Sequence, residues 1–160
     1  MRRHEKEVTG RENLLAILQK CEACTLAMQD GPYPYAVPVN CACRVVGDGV
    51  EIYFHGASEG KKLSLLKRDG RVAFAMHCGG RLLPGETPCG DTYAYESVCG
   101  TGDAELVTDD TEKREILQRL LAQLGDDRQM NVPPERLGGI SVFRIRVREL
   151  HGKQTKPAAQ

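Results

Sequence analysis

The sequence predicts a mainly β fold, an antiparallel barrel of six strands with a few helices at its ends. Two observations carry this. Six runs have strand character and are set off by Gly, Pro or Asp-Gly punctuation, while only one helical stretch could serve as a crossover, too few for a doubly wound parallel sheet.

The elements follow in order. Thr9-Gly-Arg-Glu12 reads as a capping box, and Leu14, Leu15, Ile17 and Leu18 then supply the apolar face of a first helix over 10–20. Residues 24–28 (CTLAM) read as a strand, Gly31-Pro-Tyr-Pro34 as a turn, and 35–46 (YAVPVNCACRVV) as a second strand. Gly47-Asp-Gly49 is a hairpin signal leading to a third strand, 50–54 (VEIYF). A short helix over 58–67 comes next, followed by a fourth strand over 71–77 (RVAFAMH). From 78 to 92 the chain is rich in Gly and Pro and has no periodicity, which predicts a working or mobile loop.

Residues 95–107 predict a long strand in which Gly100 and Gly102 mark a bulge or the close approach of another backbone. Thr108-Asp-Asp-Thr-Glu112 opens a second long helix, with Leu117, Leu120, Leu121 and Leu124 on one face and Gly125 as its stop. Residues 140–150 (ISVFRIRVREL) alternate as a final strand, with Arg144, Arg146 and Arg148 on a solvated face.

At 160 residues the chain is read as one domain, 1–160, with an N-terminal helical arm over 1–22 and a frayed tail over 154–160. Twenty-two basic residues balance 22 acidic ones, so no global field draws the chain to nucleic acid or to an anionic membrane. An anion it binds must be held locally. The basic start, MRRHEKEVTG, is not followed by an apolar run, and no later stretch has the roughly 18 apolar residues of a membrane span, so a cytoplasmic location is expected. Seven cysteines, an odd number scattered through apolar runs, are read as reduced thiols. Cys21-Glu-Ala-Cys24 has metal or redox spacing but no second pair beside it, and no metal is expected; Cys41 and Cys43, like Met28 and Met76, read as core filler.

His55-Gly-Ala-Ser-Glu-Gly-Lys-Lys62 is the informative segment. A strand ends, small residues follow, and a helix opens with Ser58 as its expected N-cap. Helix starts favour acidic side chains, so Lys61 and Lys62 are misplaced there unless they, with the free amides, cradle a phosphate. The alternative is that both lysines snorkel from a solvated face.

The motifs Pro38-Val-Asn40, Tyr53-Phe-His55-Gly-Ala, Gly60-Lys-Lys62, Pro84-Gly-Glu-Thr-Pro-Cys89, Ser97-Val-Cys-Gly-Thr-Gly102 and His151-Gly-Lys153, in this order, resemble the pyridoxamine 5′-phosphate oxidase-like flavoproteins, and among them the nitroimidazole-resistance type. The resemblance runs over 1–153. It implies a six-stranded split barrel that dimerises with FMN at the subunit interface. Carried over by position, Lys62 and Lys61 hold the FMN phosphate, aided by Ser58 and Gly60, while His55 stands beside the flavin and Gly56 and Ala57 are further cofactor-binding positions. Pro38, Val39 and Asn40 face the flavin ring, and Tyr95, Ser97, Val98 and Cys99 come from the second subunit. Both basic positions are lysine where the family often has an arginine, which removes a bidentate fork from the phosphate.

The function so implied is an FMN-dependent oxidoreductase reducing a small acceptor such as a nitroaromatic, with His55 as the catalytic proton donor and Cys89 near the cleft. His77 and His151 read as structural. A non-catalytic flavin or haem carrier or sensor on the same barrel, with His55 stacking or ligating, is the alternative. A barrel that dimerises over an empty cleft is the third reading.

Overall fold

The computed structural model describes residues 4–155. Its strands are β1 (Glu7–Val8), β2 (Ala23–Met28), β3 (Tyr35–Val46), β4 (Gly49–Ala57), β5 (Arg71–Leu83), β6 (Thr92–Val107) and β7 (Ile140–Gln154). The helices are α1 (Arg11–Lys20), α2 (Lys61–Arg68), α3 (Asp110–Gln123) and the single turn α4 (Pro134–Leu137). All strand pairs are antiparallel, in the order β1-β7-β4-β3-β2-β5-β6. A further pairing of β7 with β6 joins the two ends, so the six long strands form the expected ring. The seventh strand, β1, is an addition: it pairs only Glu7 and Val8 with Lys153 and Gly152, too short to stand out in sequence. Among the described residues no helix is long and apolar enough to cross a membrane.

Alternation decides the two faces of each strand. Leu26, Met28, Cys41, Ile52, Phe54, Phe74, Met76, Val98, Phe143 and Ile145 point inward and are almost fully buried. Phe54 and Phe143 are register partners and stack with ring centroids 4.8 Å apart. Ile17 and Leu18 of α1 and Leu63, Leu65 and Leu66 of α2 join this core. A second, smaller core lies on the other side of the sheet, where Ile116, Leu117 and Leu120 of α3 cover Ala42, Tyr53 and Val142.

Several boundaries differ from expectation. Thr9 makes no side-chain cap: α1 starts after Gly10 at φ 86, and the Asn13 amide bonds back to the Thr9 carbonyl instead. Leu124 is exposed, because α3 ends at Gln123 before its stripe returns to the sheet. The acidic start of α3 behaves as read, with the Asp109 carboxylate accepting the Glu112 N–H at 2.8 Å.

Half of the expected 78–92 loop is regular. β5 runs on to Leu83, passing a register shift between Cys78 and Arg81 with Gly79 at φ 68, and pairs with the start of β6. The glycines masked this because a bulge interrupts the alternation by which strands are recognised.

Arg144 is not on a solvated face. Its guanidinium, 17% exposed, lies 2.8 Å from Glu105 and from Glu112 and 3.8 Å from Glu51. The carboxylates come from β4, β6 and α3, so no local pattern announces them. At the other end of β7, Gln154 still pairs with Glu96, and the Thr155 N–H donates to the Tyr95 carbonyl at 2.9 Å. The chain is thus held through 155, and the rest of the expected frayed tail lies outside the described residues.

Candidate cofactor cleft and sheet face

β3 and β4 pair only from Cys41↔Phe54 to Val46↔Gly49. Beyond that point the strands part: residues 35–40 keep β2 as their neighbour, and residues 55–57 keep β7. This is the split in the barrel. It leaves one edge of β3 open where Pro38 stands, a residue without an N–H that suits an edge. Pro38 and Asn40 are exposed there, whereas the Val39 side chain is buried in the core, so only its backbone is available.

The end of the split is filled from α2. His55, Gly56 and Ala57 belong to β4 rather than to a loop. α2 begins only at Lys61, because Gly60, at φ 113, makes the turn into the helix; Ser58 lies outside it and gives no cap bond. No side chain caps this helix and no acidic residue lies in its first turn. The amides of Lys61, Lys62 and Leu63 have no intrahelical partner by construction.

The two lysines are not equivalent. Lys61 Nζ is 2.5 Å from Asp30 Oδ2 and 4.8 Å from the Tyr35 ring centroid, so its charge is already answered. Lys62 has no ion-pair partner among the described residues. It folds back across Gly56, where a Cβ would come within 3.0 Å of Nζ, and donates to the His55 carbonyl at 3.5 Å. Its ammonium also stands 5.3 Å from the Phe54 ring centroid. Burial holds Lys62 below the ordinary lysine value. Partial burial, and then the Lys62 charge, hold His55 below 6.5.

The other expected contacts lie elsewhere in the same chain. Tyr95, Ser97 and Cys99 alternate on the outer face of β6, while the Val98 side chain points into the core. With Thr25, Ala75, His77 and Tyr93 they line a shallow cleft of about 430 Å³. Val142, the partner of His55, and Lys153, the partner of Ser97, are on the order of 35 Å apart along β7. One chain therefore does not bring the two groups together.

His77, Thr25 and Tyr93 also line this cleft, a placement that sequence reasoning did not anticipate. The signal was present: alternation from Ala73 through Ala75 puts His77 on the outer face. Cys89 sits in a 3₁₀ turn, Pro88–Gly90, at the tip of the β5–β6 hairpin and does not line the cleft. Cys41 and Met76 fill the core as read, with their sulfurs 4.0 Å apart.

Below the cleft the same outer face is bare. Register places Pro38, Thr25, Ala75 and Cys99 in one row across β3, β2, β5 and β6, and Ala36, Ala27, Ala73 and Thr101 in the next. All but the half-buried Ala27 are exposed, and no helix covers them.

A family model described as pyridoxamine 5′-phosphate oxidase matches residues 10–154. No curated protein matches the sequence. Among solved structures, the fold is similar to that of a candidate 5-nitroimidazole antibiotic resistance protein of Bacteroides thetaiotaomicron, with TM-score 0.78 and 24% identity over 92% of this chain and 85% of that one. It is similar to the flavocytochrome Anf3 of Azotobacter vinelandii, with TM-score 0.80 and 21% identity over 98% and 72% of the two chains. An FAD and haem binding protein of Mycobacterium smegmatis gives TM-score 0.76 and 19% identity over 95% and 74%.

Proposed function

The chain belongs to the pyridoxamine 5′-phosphate oxidase family, and from that premise we propose that it is an FMN-binding homodimer that reduces a small acceptor such as a nitroaromatic. The observation that carries the reading is Lys62, a half-buried ammonium without a carboxylate, beside the uncapped start of α2. A phosphate there would accept from the free amides and neutralise an ammonium that has no carboxylate partner among the described residues. The residues present fit the phosphate end of FMN, with Gly56 and Gly60 leaving room for the approach.

Bound FMN would supply the two-electron redox chemistry between a donor and the acceptor. The chain itself binds and orients. Lys62, aided by Gly60 and the α2 amides, holds the phosphate; Lys61 acts mainly to fasten α2 to Asp30. The open edge of β3 at Pro38 and Asn40 offers backbone groups to the ring. His55, held below its ordinary value, is largely neutral at pH 7 and serves as a hydrogen-bonding imidazole.

The bare outer face supports the dimer. A two-fold axis through it sets two copies of the same small-residue rows against each other and carries Tyr95, Ser97 and Cys99 of one copy toward Pro38 and Asn40 of the other. A second reading, a flavin or haem carrier or sensor without turnover, is supported by His77, an imidazole in the cleft. Acceptor-dependent oxidation of reduced nicotinamide separates the two.

The direct test is FMN titration. Lys62→Ala is expected to weaken FMN binding roughly tenfold or more, the worth of one charge-assisted hydrogen bond, while Arg146→Ala leaves it unchanged. Equal losses in both variants would place the phosphate elsewhere, and a wild-type protein that never takes up FMN would remove the reading.

A further inference from the structure

We propose that Tyr93 is the acceptor-side wall of the cleft, selecting flat aromatic rings by stacking, and that Gly80 is the residue that lets it lie there. This rests on the acceptor-reducing activity proposed above. On β6 the outward positions run Tyr93, Tyr95, Ser97, Cys99. The inner part of that series borders the bare face, which the proposed dimer brings toward Pro38 and Asn40 of the other copy. Tyr93 stands one outward position beyond Tyr95, past the end of that face, and is 56% exposed.

The shape of the cleft suits a flat ring. Its inner floor, Thr25, Ala75 and Cys99, belongs to the face that the proposed dimer covers, and its outer end is walled by Tyr93, Tyr95 and His77. No Lys, Arg, Asp or Glu lines it. Recognition at these walls is therefore by ring faces and hydroxyls, with the Lys153 ammonium 5.4 Å from the Tyr95 ring centroid.

Gly80 controls the position of the wall. Across the β5–β6 hairpin, a Cβ at residue 80 would come within 2.9 Å of Tyr93 Cε1 and Cζ. The hydroxyl end of the ring thus lies across the glycine, and an alanine would push it aside without deleting it. The same packing could serve only to shield a hairpin glycine, in which case substitution would change stability and leave ligand affinity alone.

The test uses FMN-loaded protein with nitrobenzene as the probe. Its Kd is measured by calorimetry and its KM with a reduced nicotinamide as donor. Tyr93→Ala and Gly80→Ala are each expected to raise both constants about three- to tenfold, the range of one aromatic pair, with kcat changing less than KM. Tyr93→Phe is expected to restore both. Unchanged Kd and KM in a Tyr93→Ala protein that still binds FMN would overturn the assignment while leaving the cofactor reading intact, as would a loss of melting temperature alone. A wild-type protein that does not bind FMN overturns the cofactor reading and this assignment with it.

Discussion

Lys62 shows how a single side chain can be poorly placed for stability and well placed for a ligand. Its ammonium is held below the ordinary value of 10.5 by burial, so the unfolded chain binds that proton more tightly than the folded one. Stability from this group is therefore greatest above 10.5 and falls as pH drops toward and through the folded value. At neutral pH the charged lysine is a net cost. Lys62→Met is accordingly expected to raise the melting temperature of the ligand-free protein by a small amount, on the order of 1–3 °C, while abolishing the further rise that FMN gives the wild type. Thermal melts with and without FMN check both halves; a melting temperature that falls without ligand would mean that the ammonium is satisfied in a way this geometry does not contain. The oddity of two lysines at a helix start singled out the segment on which the proposal rests, but not which of them lacks a carboxylate partner. That distinction depends on Asp30, which follows β2 and reaches Lys61 only through the fold.

At the level of elements, strand periodicity was a good guide wherever one face is buried. β3 appears with its predicted bounds. β4 and β7 run further than expected because their ends carry His55-Gly-Ala57 and His151-Gly-Lys153, polar or small residues without an apolar alternation to mark them. The glycines of β6 were read correctly as a bulge and a close approach: the register with β7 shifts between Thr101 and Gly102, and a Cβ at Gly100 would fall within 2.7 Å of Phe74 Cζ and against the Glu149 carbonyl. Here the space is closed by backbone, which cannot turn aside as a tyrosine ring can. Gly100→Ala is thus expected to destabilise by about 1–3 kcal/mol, measured by urea unfolding, with FMN affinity per folded molecule unchanged. An unaltered midpoint would show that β6 and β7 can separate at this point without cost.

For the molecule as a whole, the bare face makes a prediction through its cysteines. Cys89 and Cys99 are exposed, Cys43 and Cys78 half-buried, and Cys21, Cys24 and Cys41 buried. Burial pushes the Cys21 thiol up to about 12, and the thiol of Cys41, hydrogen-bonded to the Cys24 thiol and buried, is also raised, so these are slow to react. A monomer would therefore offer two fast thiols to Ellman's reagent. In the proposed dimer Cys99 is covered, leaving Cys89 as the one fast thiol, and Cys99 is expected to become fast on dilution into monomer. Two fast thiols at a concentration where the protein elutes as a dimer would place the interface on another face. This surface was not legible as a unit, since its rows are assembled from four strands and only register reveals that their small residues adjoin. Closure of the ring has a consequence of a different kind. β7 comes after the other six strands in chain order, and it alone joins β4 to β6. Until it emerges from the ribosome, a nascent chain holds two unsatisfied strand edges and an open core, so the barrel is exposed to aggregation for as long as β7 is still to come.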